Sequence, residues 1–293
     1  MNMVTVAGHI AIDHLFDIPW HPAPEHSIFI RRHERHYGGG AANIATGIAR
    51  LGGRSRLLAA VPHGFAATDY GTYLRETGVE LAVTPFQGEM PTAYIFNDIH
   101  HRQVTYFSWG VSEHMPDADV TGDIVHLAPV HPGFACRMAD RARYLAFEPG
   151  QDLPRYTAEQ LAHVIERADM LFCNTTELDT MTNMLALSPK ELLSDIDAVV
   201  TRGDRGCLVY DGGETHEIPA VPADMVDPTG AGDAHRAAIW TALQRDIDLP
   251  TACQLGNVAA ALTVETRGAQ NGMPDWAELL QKHEQQYGRA ENI

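Results

Sequence analysis

Asp227-Pro228-Thr229-Gly230-Ala231-Gly232-Asp233, running directly into Ala234-His235-Arg236-Ala237-Ala238-Ile239-Trp240, is the stretch on which the reading of this chain turns. Small residues let backbone N–H groups crowd around one point. The alanine-rich, apolar run behind them predicts a helix from about Gly232. A helix N-terminus presents unpaired N–H donors and the positive end of the macrodipole, so it seats an anion. Asp233 adds a carboxylate in the first turn. A base held beside an anion hole suits the removal of a proton from a hydroxyl that attacks a phosphoryl group. A single Gly-x-Gly before an Asp is more often a plain glycine turn with an acidic first helical turn. The chemical reading therefore depends on what accompanies the string.

Composition sets the frame. A chain of 293 residues, 45% hydrophobic, builds one large α/β domain or two ordinary ones. Lys and Arg total 21 against 38 for Asp and Glu, a formal charge of −17. That balance argues against sequence-independent nucleic-acid binding and against anionic membranes. Nucleotides remain open, because local N–H groups and Mg²⁺ override the global field. Cys136, Cys173, Cys207 and Cys253 are scattered without a C-x-x-C pair, which predicts reduced core thiols. No apolar run approaches the ~18 residues of a bilayer span. The chain opens on the strand-like Met3-Val4-Thr5-Val6-Ala7 rather than a signal peptide, so the expectation is a soluble cytoplasmic protein.

A second glycine string, Gly38-Gly39-Gly40-Ala41-Ala42-Asn43, precedes Ile44, Ile48 and Leu51 at helical spacing, with Gly52 as C-cap. It lacks the Lys of a P-loop and the spacing of a dinucleotide fingerprint. Ser27 to His36 reads as a strand with Ile28 and Ile30 on one side. Thr92–Asn97 and Gln103–Ser108 alternate about Asp98-Ile99-His100-His101, a hairpin pattern. From Asp123 strand and helix patterns alternate, predicting a parallel sheet with ligands at the strands' carboxyl ends. Asn174-Thr175-Thr176-Glu177 and Thr201-Arg202-Gly203-Asp204-Arg205-Gly206 fall at such ends. The first also has the spacing of a helix capping box. Asn257 to Glu265 reads as a late helix. His9, His14, His21, His26, His33 and His36 show no metal-ligand spacing and read as solvated residues.

The two glycine strings, in this order and far apart, resemble the two signatures of the ribokinase-like (PfkB) carbohydrate and nucleoside kinases. The likeness runs from Asp13 to Gln270, and overall it is to the archaeal nucleoside kinases of this family. It implies an α/β fold: a three-layer αβα sandwich with a central, mostly parallel sheet. Residues 1–293 would form one kinase domain, with a small β lid from residues 12–37 and 91–110. It makes Asp233 the catalytic base, with Gly230, Ala231 and Gly232 as the anion hole. Asp13, Gly38, Gly39, Gly40 and Asn43 would bind substrate. Asn174, Thr201, Gly203, Gly206 and Asn257 would bind ATP, and Glu177 with Asn174 would hold Mg²⁺ largely through water.

Arg267-Gly268-Ala269-Gln270 resembles sequences that flank the adenine in relatives. Many relatives have Asp where this chain has Glu148. His235 sits where relatives commonly carry a large apolar or aromatic residue, and it reads as a satisfied core histidine. The resemblance leaves a monovalent cation and a homodimer through the lid open. The acceptor implied is a ribonucleoside 5′-hydroxyl. A sugar or sugar phosphate is the alternative, with Arg31, Arg32 and Arg35 as its clamp. A non-catalytic nucleoside- or sugar-binding protein on the same scaffold is the reading from another class.

Overall fold

The structure is a computed structural model that describes residues 2–100, 102–115 and 124–289. His101, in the turn of the expected hairpin, and Asp123, where the strand–helix alternation was expected to begin, lie outside the described residues. The strands are β1 (Val4–Ala7), β2 (Ala11–Asp17), β3 (Arg32–Gly38), β4 (Ser55–Pro62), β5 (Glu80–Phe86), β6 (Thr92–Asn97) and β7 (Gln103–Ser108). They continue with β8 (Ile124–Leu127), β9 (Leu145–Phe147), β10 (Met170–Asn174), β11 (Asp197–Thr201), β12 (Cys207–Asp211) and β13 (Glu214–Ile218). The helices are α1 (Gly40–Arg50), α2 (Asp69–Glu76), α3 (Pro132–Ala139), α4 (Ala158–Ile165), α5 (Thr175–Leu185), α6 (Pro189–Leu192), α7 (Ala231–Leu243), α8 (Leu249–Val264) and α9 (Trp276–Tyr287).

Nine strands form one sheet in the order β13-β12-β11-β10-β9-β8-β1-β4-β5, and every pairing from β11 to β5 is parallel. Only β12 and β13 run antiparallel, at one edge. Alternation along the strands sends side chains to two cores. Leu57, Ala59, Phe172 and Val199 pack under α1, α2, α7, α8 and α9. Leu58, Ala60, Leu171 and Val200 pack under α3 to α6. The result is three layers, αβα, as the resemblance implies.

A separate four-stranded sheet, ordered β3-β2-β6-β7, stands beside the large one. Its hairpin turn is held by Asp98, whose buried carboxylate accepts from the N–H groups of His100 (2.8 Å) and Arg102 (3.1 Å) and pairs with the Arg102 guanidinium. The expected strand Ser27–His36 is displaced. Ser27 to Ile30 carries no strand pairing, and Phe29 and Ile30 are exposed. The strand starts at Arg32 and is almost wholly polar, in register with β2 from Asp17↔Arg32 to Ala11↔Gly38. Two isoleucines mimic alternation, but a strand needs a partner, and β2 offers one only to the residues after Arg31. The late helix α8 likewise begins well before Asn257, at Leu249, where Asp248 caps the Thr251 N–H at 2.9 Å.

The turn joining β11 to β12 depends on Gly206, whose φ is 82° and which packs against the Ile218 carbonyl with no room for a Cβ. Gly206→Ala is expected to destabilise the fold by about 3 kcal/mol or more through combined strain and clash. A urea midpoint unchanged from wild type would contradict this account of the turn.

Candidate active site

The carboxyl ends of the central parallel strands lie side by side. Glu148 follows β9, Asn174 ends β10, and Thr201 ends β11 directly opposite Asn174. Asn174 caps α5: its Oδ1 accepts the Glu177 N–H at 2.9 Å, and Glu177 Oε2 accepts the Asn174 N–H at 2.9 Å. The capping box is thus real, and it leaves the other Glu177 oxygen unused by these bonds. The Thr201 hydroxyl donates to the Cys173 carbonyl at 3.4 Å. Asp204 and Arg205 are exposed, and Gly203 has open space above it.

The glycine string around residue 230 folds as a turn followed by a helix start. Gly230 is the N-cap of α7 with φ 84°, and a methyl on it would lie 2.6 Å from Ala269 Cα. The helix begins at Ala231, one residue before the sequence-based expectation. The Ala231 N–H turns back to the Pro228 carbonyl at 3.3 Å, and the Ala234 N–H makes the first helical bond, to Gly230 at 2.9 Å. Among the described residues, none accepts from the N–H groups of Gly230, Gly232 and Asp233. Asp227 shapes the turn. It accepts from the Thr229 N–H (3.0 Å) and hydroxyl (2.7 Å), and its other oxygen accepts from the Gly268 N–H at 2.9 Å.

The string around residue 40 faces that turn. Gly39 has φ 95°, and a methyl on it would sit 2.5 Å from the His9 carbonyl oxygen. Gly38 lies flat against the Asp13 carboxylate, and a methyl on Gly40 would be 3.8 Å from Asp233 Oδ1. The Asn43 amide donates to Asp233 Oδ2 at 2.7 Å. Gln270 donates to Asn43 Oδ1 at 2.8 Å and to the Tyr70 hydroxyl oxygen at 2.9 Å, and the Tyr70 hydroxyl donates to the Gly38 carbonyl at 2.8 Å. Asp13, Gly38, Gly40, Asn43 and Asp233, read from distant parts of the chain, therefore meet. Gln270 belongs to this cluster rather than to an adenine pocket, because its amide is committed to Asn43 and Tyr70.

Burial of acids dominates the electrostatics. Asp13 is pushed up to about 8 by burial, then by the negative charges of Asp233 and Asp227. Asp233 is pushed up to about 7 by burial and by Glu148, against the Asn43 hydrogen bond and Arg236. Burial would raise Glu148 as well, but the Arg236 charge and His126 hold it below the usual carboxylate value. Trp240 Nε1–H donates to His126 Nδ1 at 3.1 Å, so the His126 proton sits on Nε2, 3.3 Å from Glu148.

Other residues are placed elsewhere. Asn257 is buried, donating to the Pro219 carbonyl at 2.9 Å while its oxygen meets His235 Nε2 at 3.1 Å. Its amide is thereby spent on the protein, and His235 is a core histidine with a partner. His9 is not a solvated residue. It is buried, 2.8 Å from Asp152 Oδ2, between Phe107 and Trp109. Arg236, given no role in the sequence reading, lies in the site; its spacing of three residues from Asp233 puts both on one helical face. Among the described residues no three His, Cys, Asp or Glu side chains converge as a metal-binding group. The oxygen donors Asn174, Glu177 and Glu148 nonetheless suit a hard cation that keeps its water and borrows ligands from phosphate. No helix among the described residues is long and apolar enough to cross a membrane.

The strand order, the polar carboxyl edge and the separate small sheet make this a ribokinase-like fold. Residues 1–276 match the profile described as pfkB family carbohydrate kinase, and the chain belongs to that family, whose members are ATP-dependent phosphotransferases with an alcohol acceptor. It is 36% identical to a nucleoside kinase of Methanocaldococcus jannaschii over 97% of this chain and 98% of that one. The crystal structure of the Methanocaldococcus jannaschii nucleoside kinase, described as an archaeal member of the ribokinase family, superposes with a TM-score of 0.89, at 34% identity over 97% of this chain and 99% of the other. A nucleoside kinase of Burkholderia thailandensis in complex with inosine superposes at 0.90, with 27% identity over 98% and 99%.

The raised carboxyls have a consequence for stability. Asp13 binds its proton more tightly in the folded chain than in the unfolded one, so its contribution is fully present below about pH 4 and lost as pH rises toward 8. Asp13→Asn is therefore expected to stabilise the substrate-free protein at pH 8.5 by at least about 2 kcal/mol and to change little at pH 4. Urea denaturation at both values checks this; an equal difference at the two would defeat it.

Proposed function

We propose that the protein phosphorylates the 5′-hydroxyl of a ribonucleoside, with Asp233 as the base. The observation that carries this reading is the match, across nearly the whole chain, to nucleoside kinases, one of which is in complex with inosine. A cavity of about 620 Å³ adds support, opening beside Gly38 between Ile12, Tyr37, Phe65, Tyr70 and Asn271. That volume lies within the range of small-molecule sites, and its aromatic walls suit a flat base. Asp13 accepts from sugar hydroxyls, and Asn43 orients both sugar and Asp233.

In the transfer, Asp233 takes the proton from O5′ and the bond from O5′ to the γ-phosphorus forms. The bond from that phosphorus to the β,γ-bridging oxygen breaks, releasing ADP. The N–H groups of Gly230, Gly232 and Asp233 receive the charge on the transferring group. Thr201, Gly203 and Gly206 form the turn that carries the nucleotide, with Asn257 bracing it from behind. Glu177 and Asn174, with Glu148, would hold Mg²⁺ through water, where it neutralises phosphate charge. The small sheet closes over the site and excludes water. The free thiols fit a cytoplasmic setting.

The sugar-phosphate reading needs a converging clamp. Arg32 instead pairs with Glu34 at 2.6 Å, and Arg31 and Arg35 line different cavities. With ATP and Mg²⁺, inosine, guanosine, adenosine and cytidine are expected to turn over well above ribose and fructose 6-phosphate. Turnover confined to free sugars would reject the acceptor. Asp233→Asn is expected to lower kcat by about 10²–10⁴-fold with ADP affinity nearly unchanged, and full activity would remove Asp233 from the mechanism.

The outer face of the small sheet carries Tyr94 (40% exposed) and Tyr106 (64%) beside the stacked rings of His14, Phe16 and His33. We propose that two lids pair through this face. Tyr106→Glu should convert a dimer to monomer in sedimentation; a wild-type monomer at micromolar concentration would dismiss the pairing.

A further inference from the structure

Arg236 is a buried cation whose hydrogen-bonding capacity is unspent. The residue is 6% exposed, at the sixth position of α7. Helical side chains lean toward the N-terminus, and this one reaches back a full turn: a methyl on Gly232 would lie 2.5 Å from Arg236 Nη1. Nε is 2.8 Å from Glu148 Oε2 but off the line of a hydrogen bond. Nε is buried and, among the described residues, has no hydrogen-bond acceptor. A guanidinium carries five donors in a planar fork that matches phosphate oxygens. Leaving such a group buried without acceptors is costly unless a ligand supplies them.

Two features indicate what that ligand is. The fork lies under Gly232, whose own N–H is free and points the same way as the helix dipole. Around it stand Glu148, Glu177 and Asp233, so the ion is held in place by acids while its donors stay available. The geometry points to Arg236 as a further catalytic residue, donating from within α7 to the oxygens of the phosphoryl group in flight. Glu148 is its positioning partner, itself oriented by His126 and Trp240. The cation is thus built into the same helix as the base, one turn behind it. This inference rests on phosphoryl transfer at the Gly230–Gly232 turn and is independent of which alcohol accepts.

The test compares wild type, Arg236→Met, Arg236→Lys and the double variant Arg236→Met/Glu148→Gln, in which the carboxylate that pairs with Arg236 is neutralised as well. Two quantities are read: kcat with ATP and inosine, and the affinity ratio of ADP with aluminium fluoride over ADP alone, both with Mg²⁺. The expected result is a loss of at least 100-fold in kcat for Arg236→Met, with KM for inosine within threefold of wild type. The affinity ratio should fall at least tenfold, Lys should recover at least tenfold in kcat, and the double variant should stay slow. A double variant within threefold of wild-type kcat, or an affinity ratio unchanged by Arg236→Met, would reduce Arg236 to a counter-ion of Glu148. If wild type ignores inosine, the acceptor reading fails while the affinity ratio still decides the role of Arg236.

Discussion

Glu148, Glu177 and Asp233 are gathered at the carboxyl edge of the large sheet, Asp13 of the small sheet approaches Asp233, and the Arg236 guanidinium is buried among the first three. Taking carboxylates out of water is unfavourable unless each finds a cation or donors. Glu148 finds Arg236 and stays ionised. Asp13 and Asp233 lack a cation of their own, and both are driven toward the protonated form. A site in this state favours whatever brings donors and positive charge. Hydroxyls of an acceptor offer the first, and in the proposed mechanism a hydrated cation with its nucleotide would offer the second.

The glycine strings make the crowding geometrically possible. At Gly38 a side chain would collide with the Asp13 carboxylate, and at Gly230 with the backbone of Ala269. The bare backbone lets two acids from different sheets approach one small volume. Asp13 belongs to β2 of the small sheet and Asp233 to a helix on the large one, so the site exists only where the two bodies meet. Arg267 fastens them, pairing with Asp17 at 2.7 Å and with Glu34, both on the small sheet. Gln103 adds a bond to the Thr229 hydroxyl at 3.1 Å, tying β7 to the turn that ends in Gly230.

Local signals were legible where backbone chemistry is local. The helix after Asn43, the capping box Asn174–Glu177 and the hairpin about Asp98 each leave a short pattern of caps, spacing or turn residues. The parallel sheet was legible from the alternation of strand and helix patterns in the second half of the chain. The polar strand Arg32–Gly38 was not, because its conformation is imposed by pairing with β2. His9 looked like one of a run of surface histidines, yet it is buried against Asp152, 143 residues away. Arg236 was quoted but given no part and Gln270 was set beside the adenine, since nothing in their neighbours announces the groups they face.

The sequence by itself determined the glycine turns, the acid one turn into a helix, and the alternation that builds a parallel sheet, because these follow from steric freedom and from side-chain period. Tertiary structure decided which donors answer which acids. Asn43 meets Asp233 across 190 residues and Gln270 meets Asn43 across 227. Such long-range contacts depend on how whole layers pack, and packing is a property of volumes and surfaces that no short window of residues contains.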